Sequence, residues 1–422
     1  GGQVAWEGQA RQGGKTIYYL VHCFYPFSQG GTERFVFNMA KQAQLNGNRV
    51  KVITYNATEL SGHFKNRVGP VLFNEYELDG INVLEYRHIK APRGILKDIV
   101  VEDPAVLKFA EFLFEREKPD ILHVAYFQKT SGFFAACRKR GSPYGITLTS
   151  FYAMCHYDIM IDRQGRLCSG CEKGEKCRRD CRCLDVVDPS QRYQNMYRIF
   201  REAAFITAPS IFVKNMVERE FAGISVRVIN HGVSRDFLSQ DRAPSDQTDE
   251  GKKFAYFGSL SPIKGVHGLI TAFKELSLDN RLEIFGAGSE QYLKMLKRLS
   301  EGRDNIIFKG SVRYNEIGKA YRGTDIVVVP SIWYETYNFV IHEALLMNRI
   351  VIAARIGAMP ERIREGVTGY TFCPGDWTDL RKTMEKALQN GLPPNAGLDL
   401  FINTVEAEFA QYNWLYEQAL VG

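Results

Sequence analysis

Residues 325–372 alternate apolar runs with a helical pattern, and this order restricts the fold more than any other part of the sequence. An apolar run at 326–330 leads through a short loop into a helical pattern, and a second apolar run follows at 350–354. Buried parallel strands read as continuous apolar runs, and they need a crossover connection, usually a helix. The stretch therefore predicts a β-α-β unit, in which the N-terminus of the helix offers free backbone N–H groups to an anion.

The same alternation occurs on both sides of a polar segment at residues 239–253, which lacks periodicity and contains Pro244. Alternating strands and helices predict parallel, doubly wound sheets, and the polar segment is typical of a linker. A chain of 422 residues also suits two domains better than one. The predicted strands lie at residues 16–24, 49–55, 120–126, 145–150, 205–209, 254–257, 282–285, 305–308, 326–329 and 350–353.

We therefore predict an α/β protein whose two Rossmann-like domains, each a doubly wound parallel sheet, face each other across a cleft. The predicted N-terminal domain spans residues 15–238, the linker 239–253 and the C-terminal domain 254–402. Residues 403–422 form a helical stretch rich in aromatics, and residues 1–14 are interpreted as an added or disordered segment, or as the cut edge of a longer chain. Such sheets bind ligands at the carboxyl ends of their strands, so the cleft is the predicted binding site.

The composition is that of an ordinary globular protein, with 45% hydrophobic and 24% charged residues. The sequence contains no run of about 18 apolar residues and no signal-peptide core, so we expect a cytoplasmic protein. Basic residues cluster at 138–140 and 173–182, in a chain of net charge +6. Two interpretations of these clusters stay open: solvated faces, or surfaces that attract phosphate-bearing substrates or an anionic membrane. No motif supports nucleic-acid binding.

Two carboxylates flank the start of the predicted helix in residues 325–372. Glu335 lies in the loop before the helix, and Glu343 follows after seven intervening residues. Carboxylates accept hydrogen bonds from hydroxyl groups, whereas the backbone amides of residues 337–340 suit a diphosphate. A site that combines the two predicts a nucleotide sugar as its ligand.

The pattern P-S-x-x-x-E-T-Y-x-x-V-x-x-E-A around Glu335 and Glu343 resembles the E-x7-E signature of retaining glycosyltransferases of family four, which have the GT-B fold. Residues 257–265 (FGSLSPIKG) resemble the strand and loop that open the donor domain of that family. Tyr25-Pro26, followed by residues 30–34 (GGTER), resembles its glycine-rich loop. These motifs follow the family's order across about residues 15–420, and the resemblance implies that the helix at residues 403–422 crosses back to the N-terminal domain.

The resemblance implies roles for the polar residues of these motifs. Glu343 would hold the ribose hydroxyls of the donor nucleotide, and Glu335 would contact the transferred sugar during catalysis. Lys264 would carry positive charge to the β-phosphate of the leaving group, unless it is an ordinary solvated lysine. Many members of the family have an arginine where this chain has Ser259. The family has a glycine where this chain has Asn338, a residue that tolerates positive φ better than most.

Glycines complete the predicted donor site. Gly30 and Gly31 allow a ligand to approach the backbone closely, although a Gly-Gly pair is also compatible with a simple tight turn. The Gly286-Ala287-Gly288 triplet lacks the third glycine of a dinucleotide fingerprint, so it predicts close packing against the nucleotide and no NAD site. The predicted donor-binding set is Gly30, Gly31, Gly258, Ser259, Lys264, Gly286, Gly288, Glu335, Thr336, Tyr337, Asn338, Phe339, Val340, Glu343 and Glu361.

Two histidines and one further carboxylate belong to segments that resemble the family. His123 lies in a stretch that resembles a His-x-His strand, but Ala125 replaces the second histidine. His123 is therefore either a third catalytic residue beside Glu335 and Lys264 or a buried structural histidine. Glu361 matches a family carboxylate near the cleft, and the role of His231 stays open.

Six cysteines crowd into residues 155–183. A C-x2-C pair followed by a C-x3-C pair is typical of a structural zinc site. An iron–sulfur cluster, disulfides and free thiols stay open as alternatives. We interpret this insert as a lid or as an element that shapes the acceptor site. The candidate ligands are Cys155, Cys168, Cys171, Cys177, Cys181 and Cys183.

Together these features predict a retaining glycosyltransferase of the hexosyltransferase class, acting in cell-surface polysaccharide or glycoconjugate synthesis. The donor would be a nucleoside diphosphate sugar, and the acceptor a hydroxyl of a glycan or a lipid-linked saccharide. The donor domain lacks a D-x-D pair, so no catalytic metal is expected. Two alternatives stay open: an epimerase or phosphorylase on the same fold, and a catalytically silent glycan-binding or scaffold subunit.

Overall fold

A computed structural model describes residues 14–56, 64–90, 103–181, 188–234, 251–313, 316–390 and 403–421, so residues 239–250 of the predicted linker and Cys183 lie outside it. It confirms an α/β fold with two sheets. The strands are β1 (Thr16–Val21), β2 (Arg49–Tyr55), β3 (Asn66–Val68), β4 (Val71–Leu78), β5 (Ile81–His88), β6 (Ile121–Val124), β7 (Tyr144–Thr147), β8 (Phe205–Ala208), β9 (Arg227–Val228), β10 (Lys253–Phe257), β11 (Arg281–Phe285), β12 (Ile306–Gly310), β13 (Ile326–Val329), β14 (Ile350–Ala354) and β15 (Gly369–Phe372). The α-helices are α1 (Gly31–Leu45), α2 (Pro104–Arg116), α3 (Ser131–Arg140), α4 (Pro189–Glu202), α5 (Ile211–Glu220), α6 (Val266–Phe273), α7 (Glu290–Leu299), α8 (Ile317–Arg322), α9 (Phe339–Leu346), α10 (Trp377–Asn390) and α11 (Val405–Val421).

The sheet of the first domain has nine described strands in the order β3-β4-β5-β2-β1-β6-β7-β8-β9. The strands from β5 to β9 in this order are parallel, whereas β3, β4 and β5 pair antiparallel. The predicted strand series misses this antiparallel edge. The β4–β5 hairpin turns at Asp79 and Gly80, whose φ angles are 47° and 78°. An Asp-Gly pair favours this two-residue turn, so the sequence does carry a signal for the hairpin.

The sheet of the second domain has six described strands, all parallel, in the order β12-β11-β10-β13-β14-β15. The strand order reverses between β10 and β13, and in the first sheet it reverses between β1 and β6. Open parallel sheets bind ligands in the crevice outside the carboxyl ends of the strands at such a switch point. The topology therefore predicts a binding site at the loops that follow these four strands.

The chain passes between the two domains at two adjacent points. Val233 forms a parallel bridge with Thr404, so the outgoing and returning segments lie side by side. The helix α11 then packs on the first domain, where Phe409, Tyr412 and Tyr416 join the apolar core around β1 and β6. The last described helix is thus part of the first domain by packing, although it follows the second domain in sequence.

Acidic side chains pair with the basic clusters. Arg178 of the second cluster contacts Asp188 with an N–O distance of 2.8 Å. Neighbouring acids reduce the positive potential that attracts an anionic surface, so this pairing favours the solvated-face interpretation. In the first cluster, Arg138 pairs with Glu202, Lys139 with Glu111 and Arg140 with Glu115.

Within the described residues, no helix has the length and apolarity that a bilayer span requires.

Candidate functional site

A cavity of about 290 Å³ lies between the two domains. The first domain contributes the start of α1, the loop after β7 and His231, which precedes the crossing to the second domain. The second domain contributes the loops after β10 and β13. Nine of the predicted donor-binding residues line this cavity: Gly31, Gly258, Lys264, Glu335, Thr336, Tyr337, Asn338, Phe339 and Val340. The other lining residues are Thr32, Thr149, His231, Tyr256, Phe257, Val329, Ser331 and Trp333.

Glu335 is a buried carboxylate in the loop between β13 and α9. Its Oε1 accepts hydrogen bonds from Lys264 Nζ at 2.7 Å, Ser331 Oγ at 2.7 Å and Trp333 Nε1 at 3.0 Å. Burial acts to raise the pKa of Glu335, but the charge of Lys264 and the three hydrogen bonds together outweigh burial and lower the pKa. The wall of the cavity therefore carries an ionised carboxylate and an ammonium group in direct contact.

Glu343 lies on α9, one helical turn beyond Phe339, and its side chain is 2% exposed. Its Oε1 accepts from Arg34 Nη1 at 2.5 Å, and its Oε2 accepts from Tyr321 Oη at 2.8 Å. Arg34 belongs to α1, so this buried ion pair joins the two domains. Glu343 itself does not line the cavity, but Phe339 and Val340 on the same helix do.

Asn338 precedes α9 with φ 69° and ψ 88°. Its side chain caps the helix by accepting a hydrogen bond from the backbone N–H of Ile341 at 3.3 Å. The asparagine thus adopts the left-handed conformation for which glycine is the usual residue. The backbone of the loop is compatible with asparagine at this position.

The first domain contacts the loop that carries Glu335 through several side chains. Thr336 Oγ1 donates to the carbonyl of Thr149 at 3.1 Å, and Tyr337 Oη donates to the carbonyl of His231 at 2.7 Å. The rings of His231 and Phe339 stack with 5.3 Å between their centroids. These contacts hold the two domains closed around the cavity.

Gly286 and Gly288 lie behind the cavity wall and do not line it. Gly286 has a φ of 151°, and a Cβ atom there would lie 1.8 Å from the carbonyl oxygen of Gly258. A Cβ atom at Gly288 would lie 1.9 Å from the carbonyl oxygen of Leu260. These glycines let the loops after β10 and β11 pack backbone to backbone, and the packing of the triplet against a nucleotide stays a prediction.

We expect Gly286→Ala to destabilise the protein by about 2 kcal/mol or more, because the new methyl group meets backbone and the φ is unfavourable for alanine. Denaturant unfolding measures this loss. Gly323→Ala is the matched control, since Gly323 has a φ of −78° and its nearest atoms to a new Cβ lie at 3.8 Å. A cost at Gly286 within about 0.5 kcal/mol of the control would contradict the packing argument.

Three further predicted donor-binding residues do not line the cavity. Gly30 is the N-cap residue of α1, and Ser259 is an exposed residue that follows Gly258. The Glu361 carboxylate accepts hydrogen bonds from the backbone N–H groups of Ile211 at 3.1 Å and Phe212 at 2.7 Å. These amides belong to the first turn of α5, where free N–H groups favour an acidic partner. Glu361 therefore ties the second domain to the first.

His123 lies in the core of the first domain, away from the cavity, and is fully buried. One ring nitrogen, Nδ1, pairs with Tyr416 Oη at 2.6 Å, and the other, Nε2, pairs with Thr147 Oγ1 at 2.7 Å. Burial lowers the pKa of His123 to about 3, so the ring is neutral. Of the two interpretations of His123, this placement favours the structural histidine over the catalytic residue.

The described cysteines of the insert do not form a ligand cluster. In the described ranges, three possible metal-ligand atoms come within 4.8 Å of one another only at His22, Cys23 and Glu33. Cys171 Sγ instead donates to Glu220 Oε1 at 3.1 Å, and burial raises the pKa of this thiol. Cys183 lies outside the described residues, so a zinc site at residues 155–183 stays a prediction.

Several residues of the site were not predicted from the sequence. Arg34 is the last residue of the motif at residues 30–34, and Thr149 lies near the end of the predicted strand at 145–150, so its position at a strand end was an available signal. Trp333 and Tyr321 had no local signal. His231, whose role was left open, lines the cavity, and its Nδ1 pairs with Glu408 Oε1 of α11 at 2.8 Å.

Two family models match this sequence. The model described as Glycosyltransferase Family 4 matches residues 29–237, and the model described as Glycosyl transferases group 1 matches residues 239–397. Among curated relatives, the lipopolysaccharide 1,2-N-acetylglucosaminetransferase of Salmonella typhimurium is 26% identical over 40% of this chain and 48% of its own length. The D-inositol 3-phosphate glycosyltransferase of Mycolicibacterium smegmatis is 28% identical over 54% of this chain and 57% of its own length. The chain therefore spans about half the length of these relatives.

Solved structures share the fold over nearly the whole chain. A glycosyltransferase from Rickettsia africae superposes with a TM-score of 0.68 at 18% identity, covering 96% of this chain and 99% of that protein. HepE from Anabaena, in complex with UDP and glucose, superposes with a TM-score of 0.62 at 18% identity, covering 96% of this chain and 98% of that protein. The two family models, the two facing parallel-sheet domains and these structures agree, and the chain belongs to the family-four type of glycosyltransferases with the GT-B fold.

Proposed function

We propose that this chain transfers a sugar from a nucleoside diphosphate sugar to a hydroxyl group of a glycan or lipid-linked saccharide, with retention of the anomeric configuration. The observation that supports this most directly is the pair of buried carboxylates in the segment that borders the interdomain cavity, each next to a cation. Glu335 contacts Lys264, and Glu343 contacts Arg34. Carboxylates suit sugar hydroxyls, and cations with a helix N-terminus suit a diphosphate.

In this proposal Glu343 binds the ribose and Glu335 binds hydroxyls of the transferred sugar. Lys264 Nζ and the backbone N–H groups at the tip of α9 neutralise the diphosphate as the bond between the anomeric carbon and the β-phosphate oxygen breaks. The acceptor oxygen bonds to the anomeric carbon on the same face, and its proton passes to the leaving phosphate. The protein then supplies no nucleophile, and positive charge comes from its own side chains and backbone.

The family and the relatives support the proposed acceptor class. One curated relative is a lipopolysaccharide N-acetylglucosaminetransferase, which favours cell-surface polysaccharide or glycoconjugate synthesis as the setting. The acceptor enters from the side of the first domain, where Thr32 and Thr149 line the cavity. HepE binds UDP and glucose, which supports a nucleoside diphosphate sugar as the donor.

A thermal-shift screen with UDP, GDP, ADP and their sugars tests this function. One of the nucleotides at about 100 times its dissociation constant is expected to stabilise the protein by about 2.7 kcal/mol. The sugar nucleotide that gives the shift is then incubated with and without saccharide acceptors, and the products are identified by NMR. Release of the nucleoside diphosphate with a new α- or β-linkage of the donor's own configuration supports the proposal.

The alternatives predict other products from the same incubation. An epimerase returns an altered sugar nucleotide, and a phosphorylase returns a sugar phosphate. A silent subunit neither hydrolyses the donor nor transfers its sugar. Failure of all three nucleotides to bind would overturn the proposed site itself.

A further inference from the structure

The cavity presents little positive charge for a diphosphate. Lys264 is the one lysine or arginine among the described residues that line it. Its Nζ already contacts Glu335 at 2.7 Å, and Ser259, next to the lining residue Gly258, is uncharged. A diphosphate carries several negative charges, so an ammonium group that is already paired with a carboxylate neutralises only part of them. A second cation is therefore expected near the tip of α9.

Arg34 is placed to supply that charge. Its guanidinium carbon lies 4.2 Å from the centre of the Phe339 ring, and Phe339 is the first residue of α9 and lines the cavity. Arg34 itself lies in the first turn of α1, directly after Gly31 and Thr32, which also line the cavity. The side chain thus borders the proposed diphosphate site from the opposite domain.

Arg34 pairs with the carboxylate that is proposed to bind the ribose. Glu343 is buried and Arg34 is partly buried, with side-chain exposures of 2% and 13%. Tyr321 donates to the other carboxylate oxygen, so both oxygens of Glu343 already have a donor. A ribose that engages Glu343 therefore competes with Arg34, and a nearby diphosphate offers the guanidinium a stronger, bidentate partner.

We propose that Arg34 is a specificity-determining residue for the diphosphate. When the donor binds, the guanidinium of Arg34 leaves Glu343 and binds the phosphate oxygens, and Glu343 becomes available to the ribose. This inference rests on the proposed function. The exchange makes the first domain contribute a cation to a ligand held mainly by the second. Donor recognition then depends on both domains being closed around the phosphates.

The test compares a nucleoside with its diphosphate in the full chain. Arg34→Met keeps the unbranched stem against Phe339 and removes the charge. Isothermal titration is carried out with whichever of UDP, GDP or ADP binds the wild-type protein, and with the corresponding uridine, guanosine or adenosine. We expect the diphosphate to lose about tenfold or more in affinity, whereas the nucleoside binds at least as tightly as to the wild type. Arg34→Lys is expected to recover part of the diphosphate affinity.

A matched control separates this role from a purely structural one. Arg362 also joins the domains, by donating to Asn230, and it does not line the cavity. Arg362→Met is expected to leave the ratio of diphosphate to nucleoside affinity unchanged. Equal losses for both ligands in Arg34→Met, or no loss for either, would overturn the inference. If the wild-type protein binds no nucleoside diphosphate, the proposed function itself is wrong, and the inference about Arg34 fails with it.

Discussion

Replacing Glu343 with alanine is expected to abolish the thermal shift that a nucleoside diphosphate gives the wild-type protein. The carboxylate is buried on α9, beside the tip that borders the cavity, and it is the one proposed partner of the ribose hydroxyls. Each hydrogen bond to a charged group contributes about 1.5–3 kcal/mol, so the loss of two such bonds lowers nucleotide affinity by at least about a hundredfold. The shift is measured against the melting temperature of each variant without ligand.

The melting temperature without ligand is measured for each variant because the substitution also affects the stability of the folded protein. Alanine leaves Arg34 and Tyr321 without their shared buried acceptor, so Glu343→Ala is expected to melt at a lower temperature than the wild type. Glu343→Gln keeps the volume and removes only the charge, so it isolates the charge-assisted part of ribose binding. Glu365→Ala is the control, since that carboxylate belongs to the same domain and is 50% exposed. An undiminished nucleotide shift in Glu343→Ala would show that the ribose binds elsewhere.

The parallel strands were predictable because their apolar runs are continuous. All four residues of Ile326–Val329 are buried, as a strand covered on both faces requires. The hairpin strand Val71–Leu78 alternates buried and partly exposed residues instead, so a search for continuous runs overlooks it. The burial of His123 has the same explanation, since a histidine inside the fully buried strand Ile121–Val124 points into the core.

The interdomain contacts were not predictable from local pattern. Arg34 and Glu343 are 309 positions apart, and nothing in the periodicity around either residue specifies the other. Motif resemblance located Glu335 and Glu343 because their spacing within one β-α-β unit is local, and it located Lys264 because the motif at residues 257–265 is itself local. Their charged partners come from other elements, so the pairs emerge only in the folded chain.

Lys264→Met is expected to lower the rate of sugar transfer by about a hundred- to a thousandfold, because it removes the charge that opposes the leaving diphosphate. It is also expected to destabilise the protein by about 3–5 kcal/mol at neutral pH, since it leaves Glu335 as a buried carboxylate without its cation. Urea unfolding measures the second effect and steady-state kinetics the first. Lys294→Met is the control, because Lys294 pairs with Glu290 on the surface, where the two side chains are 67% and 80% exposed.

The pH dependence of that destabilisation identifies its cause. In the wild type the pKa of Glu335 lies below its ordinary value, so the Lys264 pair contributes stability above about pH 4.3, the ordinary carboxyl value, and loses it as the pH falls through the lowered pKa. In Lys264→Met, burial acts without the opposing charge and raises the pKa of Glu335. As the pH falls, Glu335 therefore becomes protonated and the destabilising buried charge disappears. The difference in unfolding free energy between the two proteins is therefore largest near pH 7 and shrinks towards pH 4. A difference that stays constant over this range would mean that Lys264 stabilises the fold through packing of its stem and not through the charge of Glu335.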